Sequence, residues 1–313
     1  MPTQFSAPPS NIPPAFTQAL GLHNGSLVAI IGSGGKTTLM HSLARANAVQ
    51  RAVLCTTTTK LWEPLPEECP FCLLPTLPCA QGITAGPLAR HFPHGTGMCT
   101  IGSAYAEQPA TQNKQGAHSP HPHAMLADGT PRKKIIGYPP ELLDAWWPTV
   151  QASAFTESIL LVEADGSAGR PVKAHSPKEP LIPAATQVVI GVVGLWGLGQ
   201  PLHEDTVWRP EIFAQRSGLP LGAPITPRAV AQVITHAQGL FSRAPATART
   251  LLFLNGAETP ATLALAHEVA HEVSKAAAAT RNASGSASGT QALTLFAGSA
   301  RTLQGECLCV HPE

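Results

Sequence analysis

Leu27-Val-Ala-Ile-Ile-Gly32-Ser33-Gly34-Gly35-Lys36-Thr37-Thr38 runs from an apolar, β-branched segment into a glycine cluster that ends in Lys-Thr-Thr. Leu39 to Val49 follows as a helix-forming segment. Strand, glycine-rich loop and helix in that order form a phosphate-binding loop. Glycines let successive backbone N–H groups turn inward around an anion, and the helix start adds partial positive charge. Lys36 has the reach for outer phosphates, and the Thr37 hydroxyl is a magnesium ligand type. The pattern G-x-x-x-x-G-K-[ST] has its first glycine where this chain has Ile30, so the loop is a shortened form. Gly32, Ser33, Gly34, Gly35, Lys36, Thr37 and Thr38 are therefore the candidate phosphate-binding residues, with Lys36 a candidate catalytic cation.

Working outward, Arg51 to Cys55 reads as a second strand and leads directly into Thr56-Thr57-Thr58-Thr59-Lys60. The threonines express β-propensity or place hydroxyls beside the phosphate site, because parallel strands deliver their C-terminal ends to one edge. Thr57 and Thr58 are accordingly candidate nucleotide contacts. Ser158 to Val162 is a further apolar run, ending in Glu163-Ala-Asp165-Gly166. Carboxylates at i and i+2 share a strand face while the pleat persists. An acidic residue at such a strand end holds magnesium directly or through water. Glu163 and Asp165 are thus candidate catalytic residues and, with Thr37, candidate metal ligands.

Composition narrows the remaining function classes. The chain has 313 residues, 43% of them apolar, with a net charge of +1 and only 12% charged residues. That supports a real core and argues against a nucleic-acid partner. The first residues lack the charged-then-apolar pattern of a signal peptide, and no run is long and apolar enough to span a bilayer; 185–198 comes nearest and reads as a buried strand and loop. The seven cysteines are odd in number and irregularly spaced, which suits a reducing cytoplasm. Cys69-Pro-Phe-Cys72 is a lone C-x-x-C and reads as ordinary loop or core thiols.

Residues 1–13 read as disordered and 14–22 as a short leading helix. A polar insertion at about 106–133 carries His118, His121 and His123 and has the composition of a flexible loop. Further strands are expected at 97–104, 134–137, 188–193, 250–254 and 292–297. Helices are expected from Pro139-Pro140 through Trp147, at 209–217 and 226–238, and at 259–278. Arg170 and Lys173 add cations at the catalytic edge, while His203, Glu204, Asp205, Arg209 and Glu211 gather ionisable groups nearby. Residues 279–290 read as a loose linker, and 291–313 as a C-terminal strand and tail. Strand–helix alternation gives an α/β fold, a mostly parallel sheet with helices on both faces in a P-loop NTPase-like three-layer sandwich, over 14–278.

Val28 to Thr38, Thr56 to Lys60, Leu161 to Ser167, Arg170 to Ala174 and Glu179 to Pro183, with Val188 to Glu211, together resemble the YqeC family of selenium-dependent hydroxylase accessory proteins. The resemblance implies a cytoplasmic P-loop protein assisting the maturation of molybdenum hydroxylases. It also implies a nucleobase contact after the late strand, where the family has Asn-Lys-x-Asp and this chain has Asn255-Gly256-Ala257-Glu258. Asn255 and Glu258 are the candidates there, with ATP and GTP both open. The expected activity is Mg2+-dependent binding and hydrolysis of a nucleoside triphosphate. Its expected partners are the molybdenum cofactor or its precursor and a molybdenum hydroxylase, with no nucleic acid and no membrane. The alternatives are an ATP-dependent ligase or nucleotidyltransferase acting on a molybdopterin-like substrate, and a non-enzymatic cofactor chaperone with a vestigial loop.

Overall fold

A computed structural model describes residues 16, 20–78, 88–107, 129–152, 155–284 and 293–310. Most of the expected leading helix, the three insertion histidines and Cys79 lie outside these residues.

β1 (Leu27–Gly32) is buried along its whole length and precedes α1 (Lys36–Asn47). β2 (Ala52–Thr57) extends beyond the expected strand and takes in the first two threonines. β3 (Lys60–Trp62), β4 (Phe71–Leu73), β5 (Gly97–Gly102), β6 (Ala104–Tyr105) and β7 (Lys134–Ile136) follow. Next come α2 (Pro140–Gln151), β8 (Ile159–Glu163), β9 (Val172–Lys173), β10 (Val188–Gly194) and β11 (Val207–Trp208). The chain continues through α3 (Pro210–Ser217), α4 (Pro227–Thr235), β12 (Arg249–Asn255), α5 (Pro260–Ser284), β13 (Leu293–Gly298) and β14 (Gly305–Val310).

Nine strands form one sheet in the order β14-β13-β12-β10-β1-β8-β2-β5-β4. Its pairings are parallel except β13–β14. This is the expected α/β architecture. β1 lies at the centre, with β8 on one side (Ile30 opposite Glu163) and β10 on the other (Gly32 opposite Val192). The acidic strand end is therefore placed beside the glycine loop.

The pleat of β1 divides the core. Val28 and Ile30 pack with Leu39, Met40 and Leu43 of α1, and with Phe16, whose ring centroid is 5.1 Å from those of Phe253 and Phe296. Leu27, Ala29 and Ile31 face the opposite layer, with Leu143 and Trp147 of α2, Phe213 of α3, Val230 of α4 and Val269 of α5. Burying such apolar side chains on both faces is the main favourable contribution to this fold.

Two expectations need correction, and one expected strand falls in a separate sheet. α5 continues to Ser284, six residues past the expected end and into the stretch read as a linker; Lys275-Ala-Ala-Ala-Ala-Thr280 is rich in the best helix former, and that propensity carries the helix on. The C-terminal stretch holds two strands: Thr294 to Gly298 pairs with Gly305 to Val310 in an antiparallel hairpin. Strand β7 is not part of the main sheet but the centre of a small antiparallel one, β3-β7-β6.

His41 on α1 is 5% exposed, with Nε2 3.3 Å from Thr100 Oγ1 of β5. Burial pushes its pKa down to about 4, aided by Arg45 and Arg132 and opposed by Glu68. The native state thus resists a proton that the unfolded chain accepts below about pH 6.5. Stability is expected to fall as pH drops from about 6.5 towards about 4, and this histidine alone contributes up to about 1.4 kcal/mol per pH unit. Urea denaturation across that range, compared with His41→Gln, checks it: the variant should lose this part of the slope, and an unchanged slope would show that His41 does not titrate on unfolding.

Candidate functional site

The loop between β1 and α1 depends on glycine. Gly32, Gly34 and Gly35 have φ of 92°, 74° and 115°, in the left-handed region. A Cβ on Gly34 would also lie 2.5 Å from Gly194 Cα and 2.8 Å from the Pro171 carbonyl oxygen, so the loop packs directly on neighbouring backbone. The Ser33 hydroxyl donates to the Pro171 carbonyl at 3.0 Å, and its amide to that of Val192 at 2.9 Å. The Gly32 amide donates to Asp165 Oδ2 at 2.9 Å. Among the described residues, the amides of Gly34, Gly35, Lys36 and Thr37 find no acceptor in the protein. These are the free N–H groups that a helix start leaves over, and the first turn carries no acidic residue. The loop therefore offers donors and positive potential to an anion.

The side chains around it form one buried network. Lys36 Nζ donates to the Gly32 carbonyl at 2.8 Å and to Ser167 Oγ at 3.2 Å, with Asp165 Oδ1 at 3.3 Å and Glu163 Oε1 at 3.8 Å. Both carboxylates thus converge on Lys36, as the i, i+2 spacing anticipates, although β8 itself ends at Glu163. Their surroundings differ. Glu163 Oε2 accepts from the Thr37 hydroxyl at 2.6 Å. Burial raises its pKa against the pull of Lys36 and Thr37. Asp165 is fully buried, and its Oδ2 accepts from the Gly32 amide, from His175 Nε2 at 2.5 Å and from Lys173 Nζ at 3.0 Å. Burial alone would raise its pKa, but Lys36, Lys173 and His175 overcome it and hold the carboxyl well below the ordinary range. Lys173 continues to Glu179 at 3.1 Å, and Arg209 grips Glu179 with two bonds of 2.6 and 3.0 Å.

The oxygens of Thr37 and Glu163 are hard donors, side by side at the mouth of the loop, and suit a magnesium ion. Asp165 Oδ1 is also buried without a hydrogen-bond partner, next to Lys36.

The other expected residues are placed less directly. Thr38 is exposed on the first turn of α1. Thr57 donates its hydroxyl to the Glu163 carbonyl at 2.7 Å, and Thr58 donates to that of Leu181 at 2.8 Å. The Thr58 amide also reaches the Glu163 carbonyl at 3.1 Å, so the threonines clamp the strand end that carries this carboxylate. Asn255 donates through Nδ2 to the Gly34 carbonyl at 2.8 Å and accepts at Oδ1 from the Ala300 amide at 2.8 Å, tying the loop to the turn after β13. Glu258 is exposed just before α5. Arg170 lies at the surface and donates to the carbonyls of Glu204 and Ala168.

His175 and Glu179 escaped sequence reading as members of the site. The available signal is the spacing Lys173-x-His175, which places both side chains on one face of an extended segment directly after the acidic strand.

The model of the family described as YqeC protein matches residues 28–211, more than half of the chain. The uncharacterized protein YqeC of Escherichia coli (strain K12) is 28% identical over 232 residues, covering 74% of this chain and 75% of that one. No solved structure matches.

Proposed function

This chain belongs to the YqeC family, and on that premise we propose that it binds a nucleoside triphosphate together with Mg2+ and hydrolyses it, as an accessory factor in molybdenum hydroxylase maturation. One observation carries the nucleotide reading: unpaired amides from Gly34 to Thr37 surround Lys36, with the Thr37–Glu163 oxygen pair at 2.6 Å beside them. An anion with an accompanying hard cation answers both halves of that arrangement.

In this reading the amides and Lys36 neutralise the phosphate oxygens, with Thr37 and Glu163 as the magnesium ligands. A magnesium ion held by Thr37 and Glu163 would supply charge neutralisation to the phosphate oxygens. Phosphoryl transfer needs positioning and charge more than covalent chemistry from the protein. Thr57 and Thr58 fix the Glu163 main chain, and Asp165 fixes the Gly32 end of the loop. The role in hydroxylase maturation draws its support from the family resemblance.

Purified protein incubated with ATP or GTP tests the proposal. The expected products are nucleoside diphosphate and phosphate, formed with Mg2+ and abolished by a chelator, with turnover increased by a molybdenum hydroxylase partner. A molybdopterin-containing adduct seen by mass spectrometry would instead establish the ligase or nucleotidyltransferase reading. Nucleotide binding without turnover in the partner's presence would leave the chaperone reading. Absence of any nucleotide binding would overturn the proposal.

A further inference from the structure

Trp196 stands out among the five tryptophans. Trp146 and Trp147 are buried, whereas Trp196 is 52% exposed. An exposed indole is a large apolar plate held in water. It lies in the short turn after β10, Leu195–Gly197, anchored by its buried neighbour Leu195. Two glycines make room for it. A Cβ on Gly194 would lie 2.9 Å from the indole's Cη2 and Cζ2, and one on Gly256 would lie 3.2 Å from its Cε3. The ring therefore spans the ends of β10 and β12.

The phosphate loop adjoins the same point. The position that a Cβ on Gly194 would take is also 3.1 Å from Gly34 Cα. Gly34 is in turn held by Asn255, the residue before Gly256. Indole, loop and Asn255 are thus contiguous at the C-terminal edge of the sheet, with Gly194 and Gly256 directly against the ring and Asn255 buried beneath the loop. A flat, rigid apolar plate beside a set of anion donors has the composition of a site for a molecule with a charged end and an aromatic end.

We infer that the exposed face of Trp196 is the platform on which the nucleotide's base stacks, an inference that rests on the nucleotide reading above. Stacking on an aromatic ring tolerates any base, since every base has a π-face. The platform therefore contributes affinity to adenine and guanine nucleotides alike and leaves selection between them to polar groups at the base edge.

The test compares wild type, Trp196→Ala and Trp196→Phe by titration calorimetry with Mg2+-ATP, Mg2+-GTP and Mg2+-tripolyphosphate, which has the phosphates but no base. Circular dichroism first establishes that the variants are folded. Trp196→Ala is expected to weaken both nucleotides about tenfold and to leave tripolyphosphate unchanged, while Trp196→Phe recovers most of the loss. Unchanged nucleotide affinity in Trp196→Ala would overturn the inference. So would an equal loss for nucleotide and tripolyphosphate, which would make the indole a support for the loop. Wild-type protein that binds none of the three ligands would overturn the nucleotide reading itself, a result distinct from either of these.

Discussion

Asp165→Ala is expected to lower the folding stability by about 3–5 kcal/mol, the cost of removing one partner from a buried ion network. Asp165 Oδ2 alone receives the Gly32 amide, Lys173 and His175, and Oδ1 faces Lys36. The side chains of Lys173, His175 and Lys36 are 1%, 2% and 4% exposed, so bulk solvent does little to screen the charges left without their carboxylate. Glu179 would still hold Lys173, and Glu163 would still lie 3.8 Å from Lys36, which limits the loss. Asp165→Asn keeps an acceptor for Gly32 but removes the charge, and is expected to fall between alanine and wild type. Equilibrium urea denaturation followed by circular dichroism measures both variants. An alanine variant within about 0.5 kcal/mol of wild type, the range of an ordinary surface substitution, would remove Asp165 from its structural role. The sign of the pH effect follows from the same network. Because the folded carboxyl titrates below its ordinary range, its contribution is complete above the unfolded aspartate value and is lost only as pH falls through the lower, folded one.

The strand–glycine loop–helix unit was legible because its signal is local: a buried strand, glycines at positions with positive φ, and a helix start, all within Leu27 to Asn47. The paired carboxylates were legible for the same reason, since both follow one apolar strand. Their different surroundings were not. What separates Glu163 from Asp165 is Lys173 of the two-residue strand β9 and His175 just after it, and behind them Glu179 and Arg209, which meet only after folding. A sequence shows a carboxylate's neighbours in the chain, whereas its electrostatics come from neighbours in space. The threonines make a related point. Their position at a strand end left both plain β-propensity and hydroxyls beside a phosphate open; β2 runs to Thr57 alongside β8, and the hydroxyls of Thr57 and Thr58 donate to main-chain carbonyls. In the helix ending at Ser284, alanine's helix propensity outweighed the serines and glycines that follow in sequence.

Lys36→Ala is expected to reduce Mg2+-dependent nucleotide turnover at least about 100-fold, the scale for removing a group that meets charge developing in a transition state. The ammonium is held by the Gly32 carbonyl and Ser167 Oγ beside both carboxylates, so it is positioned at the loop and 4% exposed. In the proposed function a phosphate would compete for it with the Asp165 and Glu163 carboxylates, and the lysine's flexible stem would let it turn from one to the other. Lys36→Arg is not expected to rescue turnover, because a planar guanidinium fork does not reproduce the compact point charge that these partners hold. The fold should survive the alanine change better than it survives Asp165→Ala, since Asp165 keeps Lys173, His175 and the Gly32 amide. That contrast separates the two roles: Asp165→Ala loses stability first, whereas Lys36→Ala loses turnover in a folded protein. Steady-state phosphate release, measured beside urea denaturation of the same samples, reads both quantities. Wild-type turnover in a folded Lys36→Ala protein would place the hydrolytic chemistry outside this loop.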